Sequence, residues 1–327
     1  MKKRILTGDR PTGQLHLGHY VGSLANRVKL QFEYDSTILI ADVQALTTHF
    51  DDPTHLKDNV WQIATDYLSV GLDPEICTIC IQSLIPGIHE LTSYFGLFTP
   101  VNVLRHNPTI KAEAKQHGFS DMPFGFLGYP VSQSADICIF KAHLVPVGED
   151  QIPHIELTRR IARRFNNLYA EILIEPEALV GEVPRLMGLD GKNKMSKSLN
   201  NCIYLADTPD IVRQKINTAV TDPARIKKDD PGHPDVCTIY AYHKIFNSNE
   251  EKELREACEK GQIGCVQCKK KLAENINALL EPMHERRAKY ITNPKRVQEI
   301  VMEGTRTANL IADVTMQEVR EVMHINY

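Results

Sequence analysis

The chain has 327 residues, 42% of them apolar and 24% charged, with a formal net charge of -3. That balance excludes a disordered or strongly basic chain, supports a core large enough for two domains, and gives no bulk attraction to nucleic acid. No run of about 18 apolar residues predicts a membrane span, and Met1-Lys2-Lys3-Arg4 leads into an apolar strand without a signal-type segment, so a cytoplasmic location is expected.

Short β-rich runs alternate with helical periodicity through the first half. The pattern predicts a strand over 4–8, a helix from His16 with Val21, Leu24 and Val28 on one face, and a strand over 36–42. A helix after Pro53, a strand over 77–83, a helical tract over 133–140, a strand over 144–148 and a helix over 151–166 follow. Such alternation predicts an α/β fold, a Rossmann-like parallel sheet with ligands beyond the carboxyl ends of its strands. After about Asn200 the strand signal fades and amphipathic helices take over. The expected division is a catalytic domain over 1–200 and a mostly helical domain over 201–327, whose last helix can pack back on the first domain. The polar, breaker-rich segment 222–232 reads as a surface loop with nearly cancelling charges.

Two segments carry the chemistry. His16-Leu17-Gly18-His19 opens a helix just past the first strand. A helix start leaves backbone N–H groups unpaired and is a natural phosphate seat. His16 and His19 add side-chain donors, and Gly18 permits close approach. Two histidines three residues apart also suit a partial metal site or a plain polar helix start; the turn Gly8-Asp9-Arg10-Pro11-Thr12-Gly13 beside the helix mouth favours a nucleotide. Lys194-Met195-Ser196-Lys197-Ser198 lies in a polar loop. Its lysines are either solvated or delivered to a phosphorus centre that gains negative charge as it reacts. Gly148-Glu149-Asp150-Gln151 ends a strand and opens a helix, where acidic side chains favour the helix dipole. Arg159, Arg160, Arg163 and Arg164 share one helix and read as a solvated or RNA-facing edge.

The eight cysteines fall into two groups. In a reducing compartment structural disulfides are not expected, which leaves burial or metal ligation. Cys77 and Cys80, three apart in a strand, point to opposite faces and cannot share a metal; with Cys138 and Cys202 they read as buried. Cys237, Cys258, Cys265 and Cys268 have the spacing C-x20-C-x6-C-x2-C, which suits zinc or an iron–sulfur cluster. The basic patches available in the second half are Lys269 to Lys271, with Arg286, Arg287 and Lys289.

HLGH at 16–19 and KMSKS at 194–198 are the two signatures of the class I aminoacyl-tRNA synthetases, and the chain resembles that family along nearly its whole length. The segments 8–13, 42–47, 129–136 and 145–151 resemble those of bacterial tryptophanyl-tRNA synthetases, in particular the subgroup with a C-terminal cysteine cluster. Tyrosyl-tRNA synthetases share the architecture and the Tyr129, Gln133, Asp136 spacing, and are the alternative. Indole offers one N–H donor, whereas a phenol both donates and accepts. Asp136 can supply the single acceptor indole needs, and Leu6 stands where the tyrosine enzymes place a second hydroxyl partner, which favours tryptophan.

The resemblance implies ATP-dependent charging of tRNA(Trp) with L-tryptophan through an adenylate. His16, His19, Lys194 and Lys197 would act on the phosphates together with Mg2+. Arg10, Pro11, Thr12, Gly18, Gly148, Glu149, Asp150, Leu186, Met195, Ser196 and Ser198 would complete the ATP site, with Lys111 as a further phosphate contact. Asp136, Gln133, Gln44 and Gln151 would hold tryptophan. It further implies a 4Fe-4S cluster on Cys237, Cys258, Cys265 and Cys268, with Zn2+ as the alternative, a homodimer, an anticodon-binding helical domain and no editing domain.

Overall fold

The computed structural model describes residues 2–181, 186–197 and 199–327. Its centre is a five-stranded parallel sheet in the order β3-β2-β1-β4-β5, built from β1 (Arg4–Asp9), β2 (Asp35–Ile40), β3 (Cys77–Ile81), β4 (Leu144–Val147) and β5 (Glu177–Val180). The chain reverses its winding between β1 and β4. In a doubly wound sheet that switch point opens a crevice beyond the carboxyl ends of the strands. The expected Rossmann-like α/β fold is therefore what the chain adopts.

Between β1 and β2 the helical path is α1 (Leu17–His19), a π-helical turn at Tyr20–Leu24 and α2 (Ala25–Glu33), rather than one regular helix. Leu24 is fully buried, while Val21 and Val28 are half-buried. Next come α3 (Asp42–His49) and α4 (Leu56–Val70). Asp42, expected to end a strand, instead opens α3, where its carboxylate accepts from the amides of Val43 and Ser83. After β3 the chain forms α5 (Pro86–Phe98), α6 (Val101–Arg105), α7 (Pro108–Gln116) and α8 (Phe124–Ile139), so the tract expected over 133–140 is the end of a longer helix. Then α9 (Ile152–Leu168) leads to β5, an edge strand that the sequence pattern does not reveal.

The sheet is covered on both faces, as parallel sheets require. Alternation along the strands sends Ile38, Ile40, Cys77, Ile79 and Ile81 to the side of α4, and Leu39 and Cys80 to the side of α5 and α8. Cys77 and Cys80 thus lie buried in opposite layers, and Cys138 and Cys202 are buried as well.

The remainder contributes α10 (Pro209–Thr218), α11 (Thr238–Phe246), α12 (Glu251–Glu259), α13 (Cys265–Ile291) and α14 (Pro294–Val322). Helix α13 packs on α4 and α10, and α14 lies along β3 and α5. Gly304 makes the second contact possible, because a Cβ there would stand 2.1 Å from the carbonyl oxygen of Ile79. The adjacent Thr305 hydroxyl accepts from Ile81 N at 3.2 Å. Edge strand β3 is therefore capped by α14, which removes an exposed row of donors and acceptors.

Candidate active site

A cleft of about 430 Å³ opens at the switch point, between the ends of β1 and β4, a size ordinary for a small-molecule site. Of the expected residues it brings together Arg10, Gly18, His19, Gln44, Gln133, Asp136, Gly148, Asp150, Gln151, Leu186 and Lys194. Gly8, next to last in β1, is in tight contact with β2, since a Cβ would meet the carbonyl oxygen of Leu39 at 2.0 Å. Beside it Asp9 is held by Arg27 at 2.5 Å and by the Tyr67 hydroxyl at 2.7 Å. Burial alone would raise the Asp9 pKa, but Arg27 and these hydrogen bonds hold it at about 2. Asp9, Arg27 and Tyr67 are not evident from motif spacing; only the position of Asp9 at a strand end points to the cleft.

At the start of α1 the backbone differs from the expectation of free amides. Leu17 N donates to Ile203 O at 2.9 Å, His19 N to His16 O at 2.8 Å, and Gly18 N to His16 Nδ1 at 3.1 Å, with Met195 Sδ 3.3 Å away. His16 N in turn donates to His19 Nδ1 at 3.1 Å. The helix mouth is thus saturated by its own capping box and cannot serve as an amide nest. The two rings lie 3.8 Å apart. Burial, followed for His16 by the charge of its partner ring, pushes His16 down to about 3. Burial also outweighs Asp9 and pushes His19 down to about 4. Each Nδ1 accepts a backbone N–H, so each neutral ring carries its proton on Nε2. The pair is a source of uncharged N–H donors, with His19 on the cleft wall and His16 buried beneath it.

The lysine loop closes on this segment. Met195 is buried against Gly18. Asn201 accepts from Ser196 N at 2.7 Å and donates to Lys194 O at 3.4 Å, fixing the loop from behind. Lys194 reaches the cleft, whereas Lys197 Nζ sits 2.9 Å from Gly13 O and 3.5 Å from Thr12 Oγ1. Pro11 is buried, and Thr12, Glu149 and Lys111 are exposed outside the cleft wall. Ser198 lies outside the described residues, as do Pro184 and Arg185 before Leu186.

At the far end Asp136 is 3% exposed, and both its oxygens accept from Gln82 Nε2, at 2.8 and 2.9 Å. Burial raises its pKa, Gln82 lowers it and Asp42 raises it again, for a value of about 7. Gln82, in the turn after β3, also accepts from Gln44 N at 3.1 Å. Gln133 Oε1 is buried among the described residues without a hydrogen-bond partner. The Tyr129 hydroxyl donates to Glu113 at 2.8 Å and lies 2.9 Å from His154 Nε2. This end of the cleft therefore holds one poorly satisfied buried carboxylate and one unsatisfied amide oxygen, each in need of a donor. Gln82 has no motif of its own, yet its place just past a strand end could have marked it.

A second, smaller cavity is lined by Cys237, Cys258, Cys265 and Cys268 together. None is in a disulfide. Arg225, from the breaker-rich loop, turns inward with Nη1 3.7 Å from Cys258 Sγ and 4.0 Å from Cys265 Sγ. His243 Nε2 lies 3.4 Å from Cys268 Sγ. Among the described residues no group of three or more His, Cys, Asp or Glu side chains is arranged to hold a metal ion.

Several basic residues are engaged rather than available. Arg286 donates to Ser69 O and Arg287 pairs with Asp66. Lys269 donates to Asn217 O and Ala219 O, Lys271 pairs with Glu250, and Arg159 and Arg163 pair with Glu175. Arg287 is largely buried in its pair, whereas Arg163 stays solvent-exposed and Lys271 partly so in theirs. Of the expected basic residues, Arg286 and Arg287 are the ones drawn into the protein, while Arg160, Arg163 and Arg164 are exposed as a solvated edge would be.

Comparison with known proteins follows the same lines. Residues 1–281 match the family model described as class I tRNA synthetases for W and Y. A tryptophan–tRNA ligase of Clostridium longisporum is 47% identical over 334 residues, covering all of this chain and 98% of the relative. The tryptophanyl-tRNA synthetase of Campylobacter jejuni, solved with ADP and tryptophan, superposes with a TM-score of 0.88 at 34% identity, over 98% of this chain and 99% of that one. A tyrosyl-tRNA synthetase of Archaeoglobus fulgidus, with a TM-score of 0.69 and 23% identity over 88% of this chain and 90% of its own, shares the fold.

Proposed function

Because the chain belongs to the class I tRNA synthetases of the tryptophan and tyrosine type, we propose that its cleft binds ATP at the HLGH end and tryptophan at the Asp136 end. The chain is an aminoacyl-tRNA ligase and attaches L-tryptophan to tRNA(Trp) at the expense of ATP. The observation that carries the residue assignment is the contact of the two signature segments, Met195 on Gly18, at one end of a cleft whose other end is the Asp136 carboxylate.

The carboxylate of tryptophan attacks the α-phosphate in line and pyrophosphate leaves, and a ribose hydroxyl at the tRNA 3′ end then takes the aminoacyl group from the adenylate, releasing AMP; Mg2+ on the triphosphate would offset the charge of the departing pyrophosphate. No side chain need act as a nucleophile. Asp150 faces the ribose, Gly148 lets the sugar approach, and Leu186 packs on adenine. Neutral His19, with His16 behind it, donates to the triphosphate, and Lys194 and Lys197 bring charge to it as negative charge builds. At the other end ionised Asp136 accepts the indole N–H, and Gln151, Gln133 and Gln44 complete the amino-acid pocket. The apolar Leu6 on the wall offers no partner for a phenol hydroxyl. Tryptophan-dependent exchange of pyrophosphate into ATP, with tyrosine at least about 1,000-fold poorer in kcat/KM, is the expected result; exchange supported equally by tyrosine would overturn the assignment.

The segment 201–327 is the anticodon-binding domain in this reading. Cys237, Cys258, Cys265 and Cys268 would hold a 4Fe-4S cluster: four sulfurs outside any disulfide share one cavity. Bound there, the cluster would supply covalent cross-links between the N-terminus of α11, α12 and α13. Anaerobically purified protein is expected to carry iron and sulfide; zinc alone, or no metal, would refute the cluster. Exposed Leu97, Val101 and Phe124, on helices that pack on one another, support a homodimer. A cytoplasmic location accords with the charging of tRNA; among the described residues no helix is long and apolar enough to cross a membrane.

A further inference from the structure

The residues that flank the two signature segments form a short antiparallel rung. Leu17 N donates to Ile203 O at 2.9 Å and Leu205 N to Leu15 O at 3.0 Å, around the bridge His16 to Tyr204. One strand of the rung runs into HLGH; the other follows the lysine loop.

Both strands are held from behind, one by α4 and the other by α13, and the two anchors are joined through α13. On one side Leu15 N donates to Asp66 Oδ2 at 3.0 Å. Asp66 belongs to α4 and is 1% exposed, and its other oxygen takes the Arg287 guanidinium. On the other side His284 Nε2 donates to Leu205 O at 2.9 Å. His284 and Arg287 are three apart on α13 and so share a face. Arg286 fastens the same turn to Ser69 O at 2.7 Å. Helix α13, about 40 Å long, begins at Cys265.

We propose that Asp66, aimed by Arg287, is a positioning residue for ATP binding: it is the acceptor that fixes Leu15 N, and with His284 it holds the rung that sets HLGH against the lysine loop. The proposal rests on the ATP-binding reading of the cleft. Neither Asp66 nor Arg287 touches nucleotide or amino acid. Their effect falls on the phosphate end, because Leu15 is one residue before His16 while Asp136 lies on α8, outside this network. A helix that starts among the cysteines and ends on the rung also ties the placement of the helical segment to the phosphate end of the cleft.

The test compares two double variants of the full chain in tryptophan-dependent pyrophosphate exchange, normalised to titrated active sites, with melting temperature measured in parallel. D66L/R287L replaces the buried pair by apolar side chains, a change that often preserves stability, but leaves Leu15 N without an acceptor. D66N/R287M also removes the ion pair yet keeps an amide oxygen for Leu15. The expected result is a KM for ATP raised about tenfold in D66L/R287L, the cost of one orphaned donor, with the KM for tryptophan within twofold, and a KM for ATP within about threefold of the parent in D66N/R287M. A purely structural role would lower the melting temperature and the active fraction without splitting the two KM values. Equal behaviour of the two variants, or an unchanged KM for ATP in D66L/R287L, would overturn the proposal. If D66L/R287L does not fold, D66A/R287M replaces it, which also removes the acceptor, with an expected rise of about tenfold; no rise overturns the proposal. Calorimetric titration with MgATP reads the same difference without turnover, so a parent chain that binds MgATP but lacks exchange condemns the functional reading and not this one.

Discussion

Gln82→Leu isolates the determinant of the amino-acid end. Asp136 is buried, and in the free protein Gln82 Nε2 donates to both of its oxygens. A hydrogen bond to a charged group contributes roughly 1.5–3 kcal/mol. At about 1.4 kcal/mol per pKa unit, its loss moves Asp136 up by about one to two units from its value of about 7. At pH 7.5 the ionised fraction then falls from about three quarters to between roughly a quarter and a few hundredths. Only the ionised form accepts the indole N–H on either oxygen, so the KM for tryptophan should rise roughly 3- to 25-fold. The KM for ATP and kcat should stay within twofold. In the parent chain tryptophan affinity should strengthen as pH rises through about 7, and the variant should regain most of its loss by about pH 9. Stability has the opposite sign: a carboxyl raised from 3.8 to about 7 contributes stability that is present below about pH 4 and lost as pH rises through about 7. Exchange kinetics from pH 6 to 9 decide the matter. A loss of tryptophan affinity of equal size at every pH, or a flat parent profile, would refute the reasoning.

Three further outcomes follow from other parts of the site. Lys197→Ala should slow single-turnover adenylate formation by about 100-fold or more, the usual cost of one transition-state donor; an undiminished rate would show that its place beside Gly13 is its only role. His16 and His19, lowered by burial to about 3 and about 4, give stability that is complete above about pH 6.5 and is lost as pH falls toward those values. Urea midpoints should therefore fall between pH 7 and pH 5 in the parent and fall less in the H16N/H19N variant, and equal falls would contradict the neutral pair. Gly304→Ala should lower stability by about 1–3 kcal/mol, because the new methyl meets the Ile79 carbonyl; an unchanged urea midpoint would mean that α14 does not lie on β3.

The winding of the sheet and the residues at its strand ends were legible because hydrophobic period and turn chemistry are local. Strand ends at Asp9, Ile40, Ile81 and Val147 all fall within two residues of the positions expected from pattern alone. Helices α5 to α7 and strand β5 were not, because their burial is set by neighbours distant in sequence: Ile110 and Leu104 are buried without a periodic stripe to announce them. The same limit hid Gln82, Asp66 and Arg27. Each is a polar residue in an otherwise apolar context, and its partner lies 18 to 221 positions away. Pattern reading also misjudged Arg286 and Arg287, whose adjacent charges look solvated until α4 supplies their acceptors.

The saturated helix mouth alters how phosphate recognition must work here. Amides of Leu17, Gly18 and His19 are committed to Ile203, His16 and Met195, so the triphosphate has to be met by side chains. Two imidazoles in ring contact and largely desolvated cannot both carry charge at neutral pH, and these carry none. They contribute direction without charge, through Nε2–H donors whose tautomer the capping box fixes in advance. Charge is left to Lys194 and Lys197, which sit on a loop anchored by Asn201 and Met195 and not on the helix itself. The separation has a consequence for selectivity between steps. Fixed neutral donors hold the nucleotide equally before and during reaction, whereas loop-borne cations can follow the negative charge as it shifts to the departing pyrophosphate, so loss of a histidine should weaken ATP binding while loss of a lysine should slow the chemical step.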